Sequence, residues 1–301
     1  MLHRRAFLHS CAAATVAANV ASGAQPTASR PFALDFAPHF GTFRHSAGAD
    51  LVDQLKFAAD CGFRAWEDNQ MKARPVEEQK RIAAAMERLG MRMGVISATR
   101  GTSDQPSFTS EDSAVRERVV KQVAEVAEIA KRVRATWMTA VLGDVNPGLE
   151  PDEQTTLAID LMRRCCDVVE PHGLVLVMEP LNRWTNHPGK FLWKATQARL
   201  ICRAINRPSC KILYDIYHQQ VSEGNLVPNI DRCWEDIAYI QSGDNPGRNE
   251  PTTGEINYGF VFRHLKERGY RGIVGMEHGN SRPGIEGEKA VIAAYRAVDP
   301  N

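Results

Sequence analysis

The chain repeats one pattern of apolar and polar positions from residue 31 onward: a short apolar or β-branched run, then an amphipathic stretch. The repeat is roughly 30 residues long, which suits a strand followed by a helix and its connections. Such runs predict strands because β-branched and aromatic residues fit a pleated, buried surface. The predicted strands are Phe32–Phe36, Arg64–Glu67, Arg92–Ser97, Thr136–Leu142, Leu174–Glu179, Lys211–Asp215, Ile237–Gln241 and Gly272–Glu277.

Helices are predicted between these strands, where apolar residues recur at helical spacing. Gly62, Gly90, Gly173 and Gly269 each end such a stretch and are followed by a predicted strand. Glycine is favoured there because it adopts the left-handed conformation that ends a helix. The predicted helices include Leu51–Cys61, Pro75–Leu89, Ser113–Val133, Thr155–His172, Lys194–Ile205, Ile230–Trp234 and Tyr258–Arg268.

Alternating strands and helices predict an α/β fold with a parallel sheet. Eight strand–helix units in about 270 residues predict a closed (β/α)8 TIM barrel, with its active site at the C-terminal ends of the strands. The alternative is an open doubly wound sheet, but no GxGxxG follows the first strand, so the dinucleotide-binding version lacks its motif. We see no domain boundary within 31–301 and predict one catalytic domain. Long loops are predicted at 98–112, 180–192, 242–256 and 278–288.

Four neighbouring strands each end in a polar residue directly after an apolar run: Glu179, Asp215, Gln241 and Glu277. A carboxylate at the end of a buried strand is costly unless it is paired or bound to a cation. In a barrel these four side chains point into one basin. Three carboxylates and an amide oxygen favour a hard divalent ion such as Mg²⁺ or Mn²⁺, whereas zinc would favour His or Cys. The alternative interpretation is that these residues simply mark where strands meet solvent.

The composition of the chain limits the classes of binding partner that we expect. The chain has 37 basic and 36 acidic residues, a formal net charge of +1 and 43% hydrophobic residues. This balance predicts no general attraction to nucleic acid or to an anionic membrane. Cys11 is one of seven cysteines, and the other six form no CxxC motif. In a chain of this size we favour buried free thiols over disulfides. A homo-oligomer is compatible with the sequence.

The N-terminus has the features of an export signal. Arg4 and Arg5 precede a weakly apolar, alanine-rich run, and small residues suited to cleavage lie near Ala21–Ala24. These features predict a twin-arginine signal peptide over residues 1–24, a linker over 25–30, passage through the twin-arginine translocase and a periplasmic mature protein. The apolar run is too short for a transmembrane helix, so no stable membrane anchor is expected.

At the four strand ends and the loops behind them, the sequence resembles the hydroxypyruvate isomerase family, within the larger xylose-isomerase-like TIM barrels. The resemblance is strong over about residues 170–280 and looser over 31–170. The matching segments are Glu179-Pro-Leu-Asn-Arg-Trp, Tyr214-Asp-Ile-Tyr-His218, Gln241-Ser-Gly-Asp-Asn-Pro-Gly-Arg248-Asn-Glu-Pro-Thr-Thr-Gly-Glu255-Ile-Asn-Tyr258 and Gly275-Met-Glu277.

The resemblance implies roles for these positions. It implies that Glu179, Asp215, Gln241 and Glu277 are the metal ligands. Glutamine at the third of these positions favours the isomerase branch, since ketose epimerases often have histidine there. The resemblance also implies that His218 and Arg248 contact substrate oxygens and that Glu255 supports the loop.

Two of these residues have alternative structural roles. His218 could instead be a partner of Asp215 behind the metal site. Arg248 could instead brace its loop through Glu250 or Glu255. From the strand ends alone, His39 and Glu67 are further candidates for the substrate pocket.

The implied reaction moves a proton between adjacent carbons of an α-hydroxy carbonyl compound through an enediolate. A divalent ion stabilises the negative charge of this enediolate. Glu179 and Glu277 are the candidate catalytic acid and base. Hydroxypyruvate or a related small keto acid is the expected substrate, and a periplasmic epimerase or isomerase of ketoses is the alternative. A non-catalytic sugar-binding barrel would not need two flanking carboxylates. A DNA-repair endonuclease would need a histidine-rich zinc site and a basic surface, which the sequence lacks.

Overall fold

The computed structural model describes residues 29–99 and 104–300, and these form a parallel β-barrel surrounded by helices. The predicted signal peptide lies outside the described residues. The predicted (β/α)8 TIM-barrel class is confirmed. The strands are β1 (Asp35–Ala37), β2 (Ala65–Trp66), β3 (Arg92–Met93), β4 (Ile96–Ser97), β5 (Trp137–Ala140), β6 (Val175–Met178), β7 (Cys210–Asp215), β8 (Ile237–Ser242) and β9 (Ile273–Met276).

The strands pair in parallel around the barrel. Seven of them form one sheet in the order β1-β9-β8-β7-β6-β5-β4, so the first strand lies beside the last. The strands β2 and β3 pair separately, and a parallel bridge between His39 and Glu67 joins β2 to the end of β1. The predicted strand Arg92–Ser97 is present as two segments, β3 and β4, interrupted at Gly94 and Val95. Eight strand positions therefore close the barrel.

Helices cover the outside of the barrel, and most lie within a residue or two of their predicted bounds, which is the usual uncertainty of helix ends. Among the strands, β1 begins three residues after its predicted start at Phe32. The helices are α1 (Arg44–Ala47), α2 (Leu51–Asp60), α3 (Val76–Arg88), α4 (Ser113–Val133), α5 (Pro151–Val169), α6 (Ala195–Ile205), α7 (Ile216–Ser222), α8 (Leu226–Cys233), α9 (Tyr258–Glu267) and α10 (Gly284–Val298).

Three features of the helices and loops were not predicted or differ from the prediction. The helix α7 starts directly after β7 without a loop, because the Asp215 side chain accepts the backbone N–H of His218 and caps it. The predicted helix Ile230–Trp234 is the end of the longer α8. The predicted loop 278–288 is shorter, since α10 begins at Gly284. In addition, α5 begins at Pro151, four residues before the predicted start at Thr155.

The core has two parts. A small cluster fills the barrel interior and includes Val177, Leu213 and Tyr239, while a larger one packs between strands and helices. Six cysteines of the described residues are free thiols; five are buried and Cys61 is half-buried. In the part of the chain that the structure describes, no helix is both long enough and apolar enough to span a membrane.

Candidate functional site

Acidic side chains from three strands meet at the barrel mouth. Glu179 follows β6, Asp215 is the last residue of β7 and Glu277 follows β9. One ligand atom from each of these carboxylates, and one ring nitrogen of His218, all lie within 4.8 Å of one another. Glu179 and Asp215 are buried, and Glu277 is half-buried. The predicted convergence of the strand ends is therefore what the structure shows.

Gln241 lies on β8 between these carboxylates, paired in register with Asp215 of β7 and Gly275 of β9. Its Nε2 atom donates to the carboxylate of Glu67, 3.3 Å from Oε1. Its Oε1 atom is buried and has no hydrogen-bond partner among the described residues. A buried acceptor without a partner costs free energy, so this oxygen fits a cation ligand.

Glu67 lies beneath Gln241 and follows β2. It is buried, and its Oε2 atom accepts the hydroxyl of Tyr239 at 3.0 Å. Two glycines make room for this pair: a Cβ on Gly94 would overlap the Tyr239 hydroxyl, and a Cβ on Gly275 would overlap the Glu67 carboxylate. Burial, with the nearby Glu277, raises the pKa of Glu67 well above its usual range.

The cluster is electrostatically strained. Burial, together with Glu277 and Asp215, raises the pKa of Glu179 well above its usual range. Burial acts in the same direction on Asp215, but His218 and the Arg248 guanidinium help to bring the pKa of Asp215 below its usual value. Several acidic groups held this close together favour a bound cation.

Arg248 spans two of the carboxylates. Its Nη2 atom lies 2.9 Å from Asp215 Oδ2 and 2.7 Å from Glu277 Oε2. Its Nε atom is buried without a hydrogen-bond partner in the described chain. The alternative in which this arginine braces its loop through Glu250 or Glu255 is wrong. Its side chain pairs with the two carboxylates, Glu250 accepts from Ser281, and Glu255 accepts from Asn245 and Gln220.

His218 lies in the first turns of α7 with its Nε2 atom facing the cluster. That atom lies 3.6 Å from Asp215 Oδ2 and 3.8 Å from Glu179 Oε1. Burial lowers the pKa of His218 to about 3, so the ring is neutral near pH 7. The predicted substrate contact stays a prediction, and the position allows it.

Of the three remaining predicted site residues, two line one cavity and the third lies on the rim of the barrel. His39 lines a cavity of about 260 Å³ that opens beside Glu277, and its ring nitrogens lie 3.1 and 3.2 Å from the carbonyl oxygens of Phe40 and His278. Glu67 lines the same cavity. Glu255 is exposed and accepts from Asn245 and Gln220 on the rim, away from the carboxylates.

Three residues at the site were not among those predicted from the sequence. Asn69 Nδ2 donates to Glu277 Oε1 at 3.3 Å. Buried Asp244 accepts backbone N–H groups from Asn245, Gly254 and Ile256, which orders the loop that carries Arg248. Asn182 contacts His218 and lies within the Glu179-Pro-Leu-Asn segment, so its motif was the available signal. No comparable signal marks Asn69.

A divalent cation fits this arrangement. The donors are three carboxylates and the partnerless amide oxygen of Gln241, which are ligands that hard divalent ions prefer. Glu179, Asp215, Gln241 and Glu277 would hold the ion.

Comparisons with known proteins agree with the fold. The sequence profile of the xylose isomerase-like TIM barrel family matches residues 55–298. A Danio rerio protein provisionally named a hydroxypyruvate isomerase is 30% identical over 249 residues, covering 79% of this chain and 88% of the relative. Hydroxypyruvate isomerase from Escherichia coli is 26% identical over 231 residues, covering 76% of this chain and 88% of that enzyme.

A solved structure supports the fold alone. The crystal structure titled AP endonuclease, family 2, from Brucella melitensis superimposes with a TM-score of 0.74 at 23% identity, covering 89% of this chain and 98% of that one. The profile match covers most of the chain and includes every proposed ligand. The chain therefore belongs to the xylose isomerase-like TIM barrel family.

Proposed function

We propose that the chain is a metal-dependent isomerase of α-hydroxy carbonyl compounds that acts on hydroxypyruvate or a related small keto acid. That the chain is an isomerase is supported by its relatives. One observation carries the proposed chemistry: Glu179, Asp215 and Glu277 converge within 4.8 Å, beside the buried, partnerless oxygen of Gln241. The proposed ion is Mg²⁺ or Mn²⁺. When bound, it would act as a Lewis acid that stabilises negative charge on the substrate oxygens.

The chain's own residues would move the proton. Glu179 and Glu277 lie on different strands and each has two carboxylate oxygens, so each can hold the ion with one and face the substrate with the other. One would remove a proton from a carbon and the other would assist on the neighbouring carbon or oxygen. The flanking strands hold both groups in place, which favours a rapid transfer.

Arg248 would hold the carboxylate of a keto acid. A guanidinium recognises a carboxylate through two parallel N–H groups. The Nη2 atom of Arg248 is held by Asp215 and Glu277, but its Nε atom has no partner among the described residues, so the guanidinium keeps a donor that these carboxylates do not use. This favours an acid over an uncharged ketose as substrate.

The decisive assay is proton exchange by the mature protein loaded with Mn²⁺. We expect deuterium from D₂O to enter hydroxypyruvate and its isomer, and the Glu179→Gln and Glu277→Gln variants to lose this activity by ~10²-fold or more. Glu286→Gln, which changes an exposed carboxylate on α10, is the matched control and should keep wild-type exchange. Exchange with ketoses but not with keto acids would favour the epimerase alternative. No exchange with any substrate by metal-loaded protein would refute the proposal.

The ligand set has its own test. Glu179→Gln and Asp215→Asn should weaken Mn²⁺ binding, measured by calorimetric titration, whereas Glu286→Gln should not. Wild-type Mn²⁺ affinity in both ligand variants would show that the ion binds elsewhere.

We also propose export to the periplasm. The support is the Arg4-Arg5 pair, the alanine-rich run and the small residues that follow it. Cell fractionation should find the mature protein in the periplasm, and replacing both arginines by lysine should retain the precursor in the cytoplasm. Periplasmic delivery that does not depend on these arginines would exclude the twin-arginine route.

A further inference from the structure

Asn182 is fully buried behind the carboxylate cluster, and both ends of its side-chain amide are engaged. Its Oδ1 atom accepts the backbone N–H groups of Thr185 and Asn186, each at 3.1 Å. A backbone N–H can only donate, so these contacts identify which end of the amide is the oxygen.

The nitrogen end therefore faces the other way. Asn182 Nδ2 lies 2.9 Å from Asn186 Oδ1 and 2.7 Å from the Nδ1 atom of His218. An amide NH₂ group donates two hydrogens and accepts none, so both of its hydrogens have acceptors here. The Asn186 oxygen is held in turn by the hydroxyl of Tyr217 at 2.8 Å.

The Nδ1 atom of His218 is therefore an acceptor. The backbone N–H of Asn182 points at the same atom from 3.4 Å, which adds a second donor that no side-chain flip can reverse. A neutral imidazole with Nδ1 as acceptor carries its hydrogen on Nε2.

We infer that Asn182 is a positioning residue that fixes His218 in the tautomer with hydrogen on Nε2, so that His218 donates a hydrogen bond to a substrate oxygen. The Nε2 atom faces the cluster, 3.6 Å from Asp215 and 3.8 Å from Glu179. A nitrogen that carries a hydrogen has no lone pair for a cation. His218 is therefore neither a metal ligand nor the catalytic base, although it lies in the ligand cluster. The substrate role rests on the proposed function, whereas the tautomer does not.

The tautomer can be read directly by NMR of the full-length mature protein labelled with ¹⁵N-histidine. Long-range ¹H–¹⁵N correlation spectra distinguish a protonated from an unprotonated ring nitrogen, and a His218→Gln spectrum assigns the signal. We expect Nδ1 of His218 to be unprotonated and Nε2 to be protonated in the wild type. The opposite pattern in the wild type would overturn the inference without testing the isomerase proposal.

The Asn182→Asp variant changes one end of the amide and keeps the other. An aspartate oxygen still accepts from Thr185 and Asn186, but the atom that faced His218 becomes an acceptor and should draw a hydrogen onto Nδ1. We expect the NMR signature to change, kcat for proton exchange to fall by ~10²-fold, and Mn²⁺ affinity to stay unchanged. Tyr217→Phe breaks only the outer bond to Asn186 and should keep the wild-type tautomer.

Two outcomes in these variants contradict the inference. An Asn182→Asp protein that folds but keeps the wild-type ring signature would show that Asn182 does not set the tautomer. A changed signature with wild-type kcat would show that the Nε2 hydrogen does not serve the substrate. If wild-type protein shows the expected tautomer but exchanges no substrate, the proposed function fails and the tautomer assignment stands.

Discussion

Replacing Gly275 by alanine is the most direct test of how the buried carboxylate beneath the cluster is held. Gly275 lies inside β9, paired with Ala37 on one side and with Gln241 on the other. A Cβ atom there would overlap Glu67 Oε2, and would lie 2.8 Å from Glu67 Cδ and 2.9 Å from Gln241 Cγ. Both neighbours are buried, so Glu67 has to move away from its partners.

The cost has two sources. Forcing one extra carbon into a packed interior costs about 1–3 kcal/mol. Moving Glu67 leaves the buried hydroxyl of Tyr239 and the amide of Gln241 without their acceptor, which costs about 1–3 kcal/mol more. We therefore expect Gly275→Ala to lower the free energy of unfolding by roughly 2–6 kcal/mol. Because Gln241 moves too, Mn²⁺ affinity should fall by about 10–100-fold.

Urea unfolding measures the first effect, with the slope checked for an unchanged transition. Gly259→Ala is the matched control: Gly259 lies in α9, where a Cβ would come no closer than 3.7 Å to the Asn257 side chain, the nearest neighbour. It should be neutral or stabilising, since alanine is favoured over glycine in helices by up to about 1 kcal/mol.

A double-mutant cycle with Glu67→Ala tests the mechanism rather than the magnitude. If the carboxylate is what the new methyl displaces, Gly275→Ala should cost much less when Glu67 is already alanine. An equal cost in both backgrounds would refute the reasoning, because the strain would then lie in the strand itself.

Three further predictions concern the metal, the Arg248 loop and the thiols. Mn²⁺ at 100 times its dissociation constant should raise the free energy of unfolding by about 2.7 kcal/mol, and EDTA should reverse this increase. The Gln241→Leu variant should need ~10-fold more Mn²⁺ for the same increase. An equal increase in this variant at equal Mn²⁺ would exclude the Gln241 amide as a ligand. Asp244→Ala removes the acceptor of three backbone N–H groups and should make the loop 243–256 sensitive to limited proteolysis, whereas Glu255→Gln on the same loop should not. Burial raises the pKa of Cys165 to about 12, so iodoacetamide at pH 8 should leave this thiol unmodified in native protein and alkylate it in urea, as mass spectrometry would show.

The sequence was sufficient for the architecture where the determining pattern is local. The helix Ser113–Val133 agrees with its predicted bounds because its apolar spacing and its Asp112 cap lie within or directly beside the segment. Glu179, Asp215 and Glu277 could be found because each follows an apolar run at a strand end. In a barrel, that position alone places a side chain at the mouth.

Features set by distant contacts could not be predicted. The strand β1 starts later than expected because the Asp299 carboxylate accepts the backbone N–H groups of Ala33 and Leu34, and so takes the place of a strand partner. The position of Glu67 depends on Tyr239 and on two glycines from distant parts of the chain. Nothing near these residues in the sequence indicates those contacts.

The pairing of β1 with β9 also determines when the barrel can form during synthesis. The β1 segment is among the first parts of the domain to be made, yet its partner strand and the Asp299 carboxylate come from the last residues. Ala33 and Asp299 are 266 positions apart. At ribosomal speeds of about 5–20 residues per second, the first strand waits on the order of 10 s or more for its neighbour. During that interval β1 lacks the backbone partners that β9 supplies, so the barrel closes only after β9 has been made.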